Sequence, residues 1–69
     1  MSLLIKRSFT LSGHRTSVAL EQEFWDALTD LATRRDTTLS ALVADVDAMR
    51  GPDRPLASAL RVHALQRFR

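Results

Sequence analysis

The hydrophobic rhythm of "RTSVALEQEFWDAL", residues 15–28, changes halfway along. Through Leu20 the side chains alternate, with Thr16, Val18 and Leu20 on one side and Arg15, Ser17 and Ala19 on the other. After Glu21 the apolar residues recur at helical spacing, at Phe24, Leu28 and Leu31. A period of two describes a strand with one buried face, and a spacing of three and four describes a helix with one buried stripe. The chain must therefore place a short strand directly before an amphipathic helix and find something to pair with that strand.

The preceding segment 3–11, "LLIKRSFTL", also alternates. Ile5, Arg7, Phe9 and Leu11 fall on one side, and Lys6, Ser8 and Thr10 on the other. Gly13 in "SGH" accepts positive φ and marks a turn or a bulge. Residues 3–20 are thus a strand region, either a hairpin or one long bulged strand. The periodicity then predicts helix A over 21–35, helix B over 38–50 and helix C over 55–68, in a single domain spanning 1–69. Phe24, Leu28, Leu31 and Ala32, widened by Trp25, form the apolar face of helix A. Leu39, Leu42, Val43, Val46 and Met49 form that of helix B, which Thr37 or Thr38 is placed to cap. Gly51 and Pro52 stop helix B, and Pro55 suits the first turn of helix C, whose apolar side holds Leu56, Ala59, Leu60, Ala64, Leu65 and Phe68. The fold class expected is mainly α with a short β-ribbon.

Size and composition narrow the function. The 69 residues include no cysteine, so disulfides and thiolate metal sites are excluded. His14 and His63 lack the spacing of a metal motif, and no metal or cofactor is expected. Below roughly 70–80 residues an unstapled core is marginal, which favours a homodimer. No stretch approaches the ~20 apolar residues of a membrane span, and "MSLLIKRSF" does not read as a signal peptide, so a cytoplasmic location is expected. Residues 1–20 carry a net charge of +3, residues 21–47 of −5 and residues 48–69 of +4. Basic ends around an acidic middle suit an anionic partner, or a solvated surface.

A lone strand exposes a row of unpaired main-chain groups, which a second copy pairing antiparallel about a two-fold axis would cover. The expected sheet is therefore intermolecular. Its inner face, Thr16, Val18 and Leu20, packs on the helices, and its outer face, Arg15, Ser17 and Ala19, points away. A two-stranded ribbon fits the DNA major groove, where Arg15 can bond to guanine, Ser17 to either base type and Ala19 can touch a thymine methyl.

The order strand, helix, helix across "TSVALEQEFWDALTDLATRRDTTLSALVADV" resembles the ribbon-helix-helix family of transcriptional repressors, the Arc and methionine repressor superfamily. "KRSFTLSGHRTSVALEQEFWDAL", "LSALVADVD" and "LASALRVHALQRFR" are similar to a small bacterial subfamily with an extra C-terminal helix, over nearly the whole chain. The resemblance implies a ribbon-helix-helix dimer that binds double-stranded DNA. It places Arg15, Ser17 and Ala19 at the base-reading positions, and Thr38, Leu39 and Ser40 where the start of helix B clamps a phosphate. Asp36 and Thr37 stand where the family often has glycine, and Asp36 would repel a phosphate unless its side chain turns away. With Ala19 unable to hydrogen-bond, DNA shape is expected to share in recognition.

Lys6 and Arg7 are expected either to follow the DNA backbone or to be solvated residues on an added strand, and His14 either to touch a phosphate or to orient the turn. Val18, Leu20, Phe24, Trp25, Leu28, Leu42, Val43 and Val46 are the expected dimer core, Trp25 serving there rather than as a base-stacking platform. His63 is expected at the rim of helix C. Asp45 and Asp47 do not share a helix face, and no nucleophile–base pair or phosphate-binding glycine loop is present, so no enzyme is expected. The expected function is a sequence-specific DNA-binding transcriptional regulator. The alternative is a protein-interaction module, such as an antitoxin or adaptor, that holds a partner through helix C and its Arg61, Arg67 and Arg69.

Overall fold

Ser12 and Gly13 both take positive φ, 50° and 81°, and reverse the chain in two residues. That is the type I′ pattern, whose twist matches the twist of paired strands. The computed structural model describes residues 3–68, apart from the side chains of Arg67 and Phe68, and in it the turn joins β1 (Leu4–Leu11) to β2 (His14–Glu21). The strands pair antiparallel from Leu11 opposite His14 to Leu4 opposite Glu21. Among the described residues the sheet has these two strands. β2 therefore finds its first neighbour within its own chain. Of the two alternatives open for "LLIKRSFTL", a hairpin arm or part of one bulged strand, the chain takes the hairpin. The turn chemistry decides this, because the two-residue loop sets the register at little entropic cost.

Three helices follow: α1 (Gln22–Arg34), α2 (Leu39–Met49) and α3 (Leu56–Ala64), the last running into a 3₁₀ turn over Leu65–Phe68. The elements keep the expected order and lie within a few residues of the expected limits. Pro55 is the N-cap of α3 rather than its first helical residue. Helix α1 ends with the amide of Asp36 bonded to the carbonyl of Thr33 (3.1 Å) and that of Thr37 to Ala32 (2.9 Å). This is the Schellman arrangement, and Asp36, at φ 55°, occupies the left-handed position that glycine usually takes.

One face of the hairpin lies against all three helices. Leu20, Trp25, Leu28, Leu42, Val43 and Leu60 are the largest fully buried side chains. Each contributes about 1.5–3 kcal/mol through the apolar surface removed from water. Phe9 and Leu11 of β1 belong to the same core, which is why β1 stays docked. The indole Nε1 of Trp25 donates to the carbonyl oxygen of Ile5 at 2.9 Å, so the one polar atom of this buried ring has a partner. Its ring meets that of Phe9 at 5.9 Å between centroids, tilted by 35°. Two side chains expected in the apolar stripes lie in solvent instead: Met49 is 70% exposed and Leu65 59%.

Candidate nucleic-acid interface

In an antiparallel pair, residues opposite one another share a face. The register therefore sorts the hairpin. Phe9 opposite Thr16, Arg7 opposite Val18 and Ile5 opposite Leu20 make the inner face. Thr10 opposite Arg15, Ser8 opposite Ser17 and Lys6 opposite Ala19 make the outer face. Arg15, Ser17, Lys6, Ser8 and Thr10 are exposed, and Ala19 is half-buried. The three residues expected to read bases thus lie on one uncovered face of β2.

From Lys6 to Arg15 that face is polar and cationic, and at its open end Leu4, opposite Glu21, is an exposed apolar residue. The Ser8 and Ser17 hydroxyls are 3.1 Å apart, within one hydrogen bond. Nη1 of Arg15 donates across the strands to Oγ1 of Thr10 at 3.2 Å. Lys6 and Arg15 stand toward opposite ends of the face, on opposite strands. Its one acid, Glu21, is held at the open end by Arg61 of α3. Nε and Nη2 of Arg61 both donate to one carboxylate oxygen, at 3.1 and 2.9 Å. A hydrogen bond from its own main chain, then that from Arg61, keeps the Glu21 carboxyl below the ordinary carboxylate range.

The residues expected to meet phosphates are divided between two faces. Lys6 is on the outer face, whereas Arg7 and His14 fall in the inner-face register, at its exposed margin. The Arg7 guanidinium lies 5.3 Å from the centroid of the Trp25 ring, a cation–π contact. At the start of α2, Thr38 is the N-cap, and its hydroxyl accepts the amide of Ala41 at 3.0 Å. Leu39 is half-buried and Ser40 exposed.

Of the expected dimer-core residues, Val18, Leu20, Trp25, Leu28, Leu42, Val43 and Val46 are buried within the single chain, and Phe24 is partly buried against them. His63 sits at a margin, where Nη1 of Arg35 approaches its Nε2 to 3.0 Å. Burial, then the positive charge of Arg35, lowers the pKa of His63. Arg69 lies outside the described residues, as does the side chain of Arg67. Among the described residues no three His, Cys, Asp or Glu side chains gather as a metal site, and no helix is long and apolar enough to cross a membrane.

Ser8 and Thr10 are the outer-face residues that the sequence reading did not assign to the site. The signal for them was in the chain. A two-residue "SG" turn pairs Leu11 with His14, and counting back places Thr10 opposite Arg15 and Ser8 opposite Ser17. A family model described as a ribbon-helix-helix domain matches residues 4–68. No curated protein and no solved structure matches the chain.

Proposed function

The chain belongs to the ribbon-helix-helix domain family, and on that premise we propose that it is a sequence-specific DNA-binding transcriptional regulator that acts as a homodimer. The observation that carries this reading is the outer face of the hairpin. It is uncovered, its side chains near the centre are short hydroxyls, its cations flank them, and its one acid is neutralised by Arg61. In the major groove, Arg15 bonds to guanine, Ser17 bonds to either base type and Ala19 meets a thymine methyl. Thr38, Leu39 and Ser40 offer the start of α2 to a phosphate, while Lys6, Arg7 and His14 follow the backbone and set register rather than sequence. A two-fold dimer reads a palindromic or repeated half-site.

The test is a gel shift with DNA from upstream of the protein's own gene against random duplex, over a salt series. Affinity falls steeply with salt. Arg15→Ala weakens binding to the specific site far more than binding to random duplex. Equal losses on both would remove Arg15 from base reading.

A second reading is favoured by the exposure of Met49, Val62 and Leu65, at 70%, 50% and 59%. Met49 and Val62 flank an open groove between α2 and α3 that Arg50 and Arg54 also line. In this reading the protein is antitoxin-like or adaptor-like and holds a protein partner through α3. Co-purification with the product of a neighbouring gene tests it.

A further inference from the structure

We propose that Thr10 of β1 is a positioning residue for Arg15 of β2. It holds the guanidinium over the outer face of the ribbon before DNA arrives, and acts on recognition through Arg15 alone. The inference rests on the DNA-binding reading and specifies what sets the sequence preference at the position that Arg15 contacts.

An exposed arginine is by itself a poor reader of sequence. Its side chain has several rotatable bonds, and fixing them on one base pair costs rotamer entropy at the moment of binding. The same guanidinium can also swing to a phosphate, where it adds affinity without preference. A neighbour that fixes the side chain beforehand lowers the cost of meeting the base and draws the charge away from the backbone.

Thr10 has the placement for this. The turn at Ser12 and Gly13 sets Leu11 opposite His14, so Thr10 and Arg15 are the next pair along the strands. Main-chain bonding alternates along an antiparallel ladder, and the pair after the one that closes a two-residue turn is of the kind whose side chains stand closer. Oγ1 of Thr10 accepts a hydrogen bond from Nη1 of Arg15 at 3.2 Å. Threonine is stiff at χ1, so the acceptor is itself held. The bond uses one N–H of the guanidinium and leaves the others for the O6 and N7 acceptors of guanine. Glu21, the acid of this face, stands at its far end in the grip of Arg61 and does not compete for Arg15. The contact lies along the edge of β2 that faces β1, so it is compatible with a ribbon shared between two subunits through the other edge.

The experiment is selection of binding sites from a pool of random duplexes by the full-length chain, followed by affinity measurements with Thr10→Val, Thr10→Ser, Arg15→Ala and the double variant of Thr10→Val with Arg15→Ala. Valine keeps the branched shape and the strand preference of threonine and removes the acceptor. Circular dichroism and thermal melting check that each variant keeps the fold. Thr10→Val lowers affinity for the selected site about fivefold and flattens base preference at the same base pairs as Arg15→Ala, with random-duplex binding changed by less than about twofold. Thr10→Ser, which keeps the hydroxyl, restores the preference. In the Arg15→Ala background Thr10→Val has no further effect, because nothing is left to position. A Thr10→Val loss that persists in that background, or that falls equally on random duplex, gives Thr10 a role of its own and overturns the inference. So does an unchanged preference in Thr10→Val where Arg15→Ala flattens it, and so does an Arg15→Ala variant that keeps the full preference. In each of these cases the DNA-binding reading stands. If the unaltered protein selects no sequence from the pool, sequence-specific binding itself is overturned, and this inference with it.

Discussion

Arg61 on α3 grips Glu21 at the junction of β2 and α1, donating from Nε and Nη2 to a single carboxylate oxygen. The contact spans forty residues of sequence and fastens the last helix to the end of the ribbon. The Arg61 guanidinium also lies 5.6 Å from the centroid of the Phe24 ring, so both charge and ring hold it in place.

Glu21 carries an acid-dependent share of stability. Its carboxyl is held below its ordinary value of 4.5, so the unfolded chain takes up the proton first as pH falls. The contribution is therefore complete above that value and is lost as pH drops through the lower folded value. Glu21→Gln lowers the melting temperature by a few degrees at neutral pH, and the gap to the unaltered protein closes in acid. Melting curves from pH 7 to pH 3 check this, and a gap that persists in acid refutes it.

His63 gives a second step at higher pH. Burial first, then the charge of Arg35, lowers its pKa from the ordinary 6.5. Arg35 donates to Nε2, which places the imidazole proton on Nδ1. Below pH 6.5 the unfolded chain binds the proton more readily than the folded one, so stability declines with falling pH until the folded imidazole is protonated too. His63→Gln flattens this part of the pH–stability curve and leaves the Glu21 step unchanged. Denaturant midpoints at closely spaced pH values separate the two steps, and parallel curves would sink the assignment.

Asp36 carries backbone strain at the end of α1. Its φ of 55° lies in the left-handed region, which costs an L-residue roughly 1–2 kcal/mol and glycine almost nothing. Part of the relief is offset by the greater freedom of glycine in the unfolded chain. Asp36→Gly stabilises by about 0.5–1 kcal/mol by chemical denaturation. The same change removes a negative charge two residues before the Thr38 cap, so it also tightens DNA binding at low salt. A loss of stability in this variant contradicts the account.

Gly13 is the hinge of the hairpin. At φ 81° it adopts a conformation that side chains resist, yet a Cβ added there would meet no atom within 4 Å. Gly13→Ala therefore costs about 1–2 kcal/mol from backbone conformation alone. Ser12→Asn, which creates the favoured Asn-Gly turn, raises the melting temperature. Paired melts of the two variants test the turn assignment.

Much of this arrangement was legible in the chain because local rules agree with the global packing. The change of period after Leu20 locates the end of β2, and the polar residues around Thr38 locate the start of α2. The inner and outer faces of β2 follow from alternation alone. The partner of β2 was harder to read, because alternation in 3–11 fits a hairpin or a bulged strand equally well. The docking of Phe9 and Trp25, a contact between residues distant in sequence, holds β1 in place. Met49 and Leu65 fit the helical pattern but lie near element ends, where no other layer covers them. The Schellman turn at Asp36 was hidden by its composition, since no glycine announces it.

Trp25 is the chain's one tryptophan, and its indole is fully buried behind the ribbon with Nε1 tied to a carbonyl of β1. The protein therefore contains an intrinsic fluorophore sensitive to two events at once, the docking of the hairpin and the packing of α1. Any state in which the ribbon lifts away shifts the emission to the red, even with every helix intact. A ligand seated on the outer face leaves the emission unchanged, because the fluorophore lies on the opposite side of the sheet. Optical titration thus distinguishes a molecule that lands on the ribbon from one that pries it open.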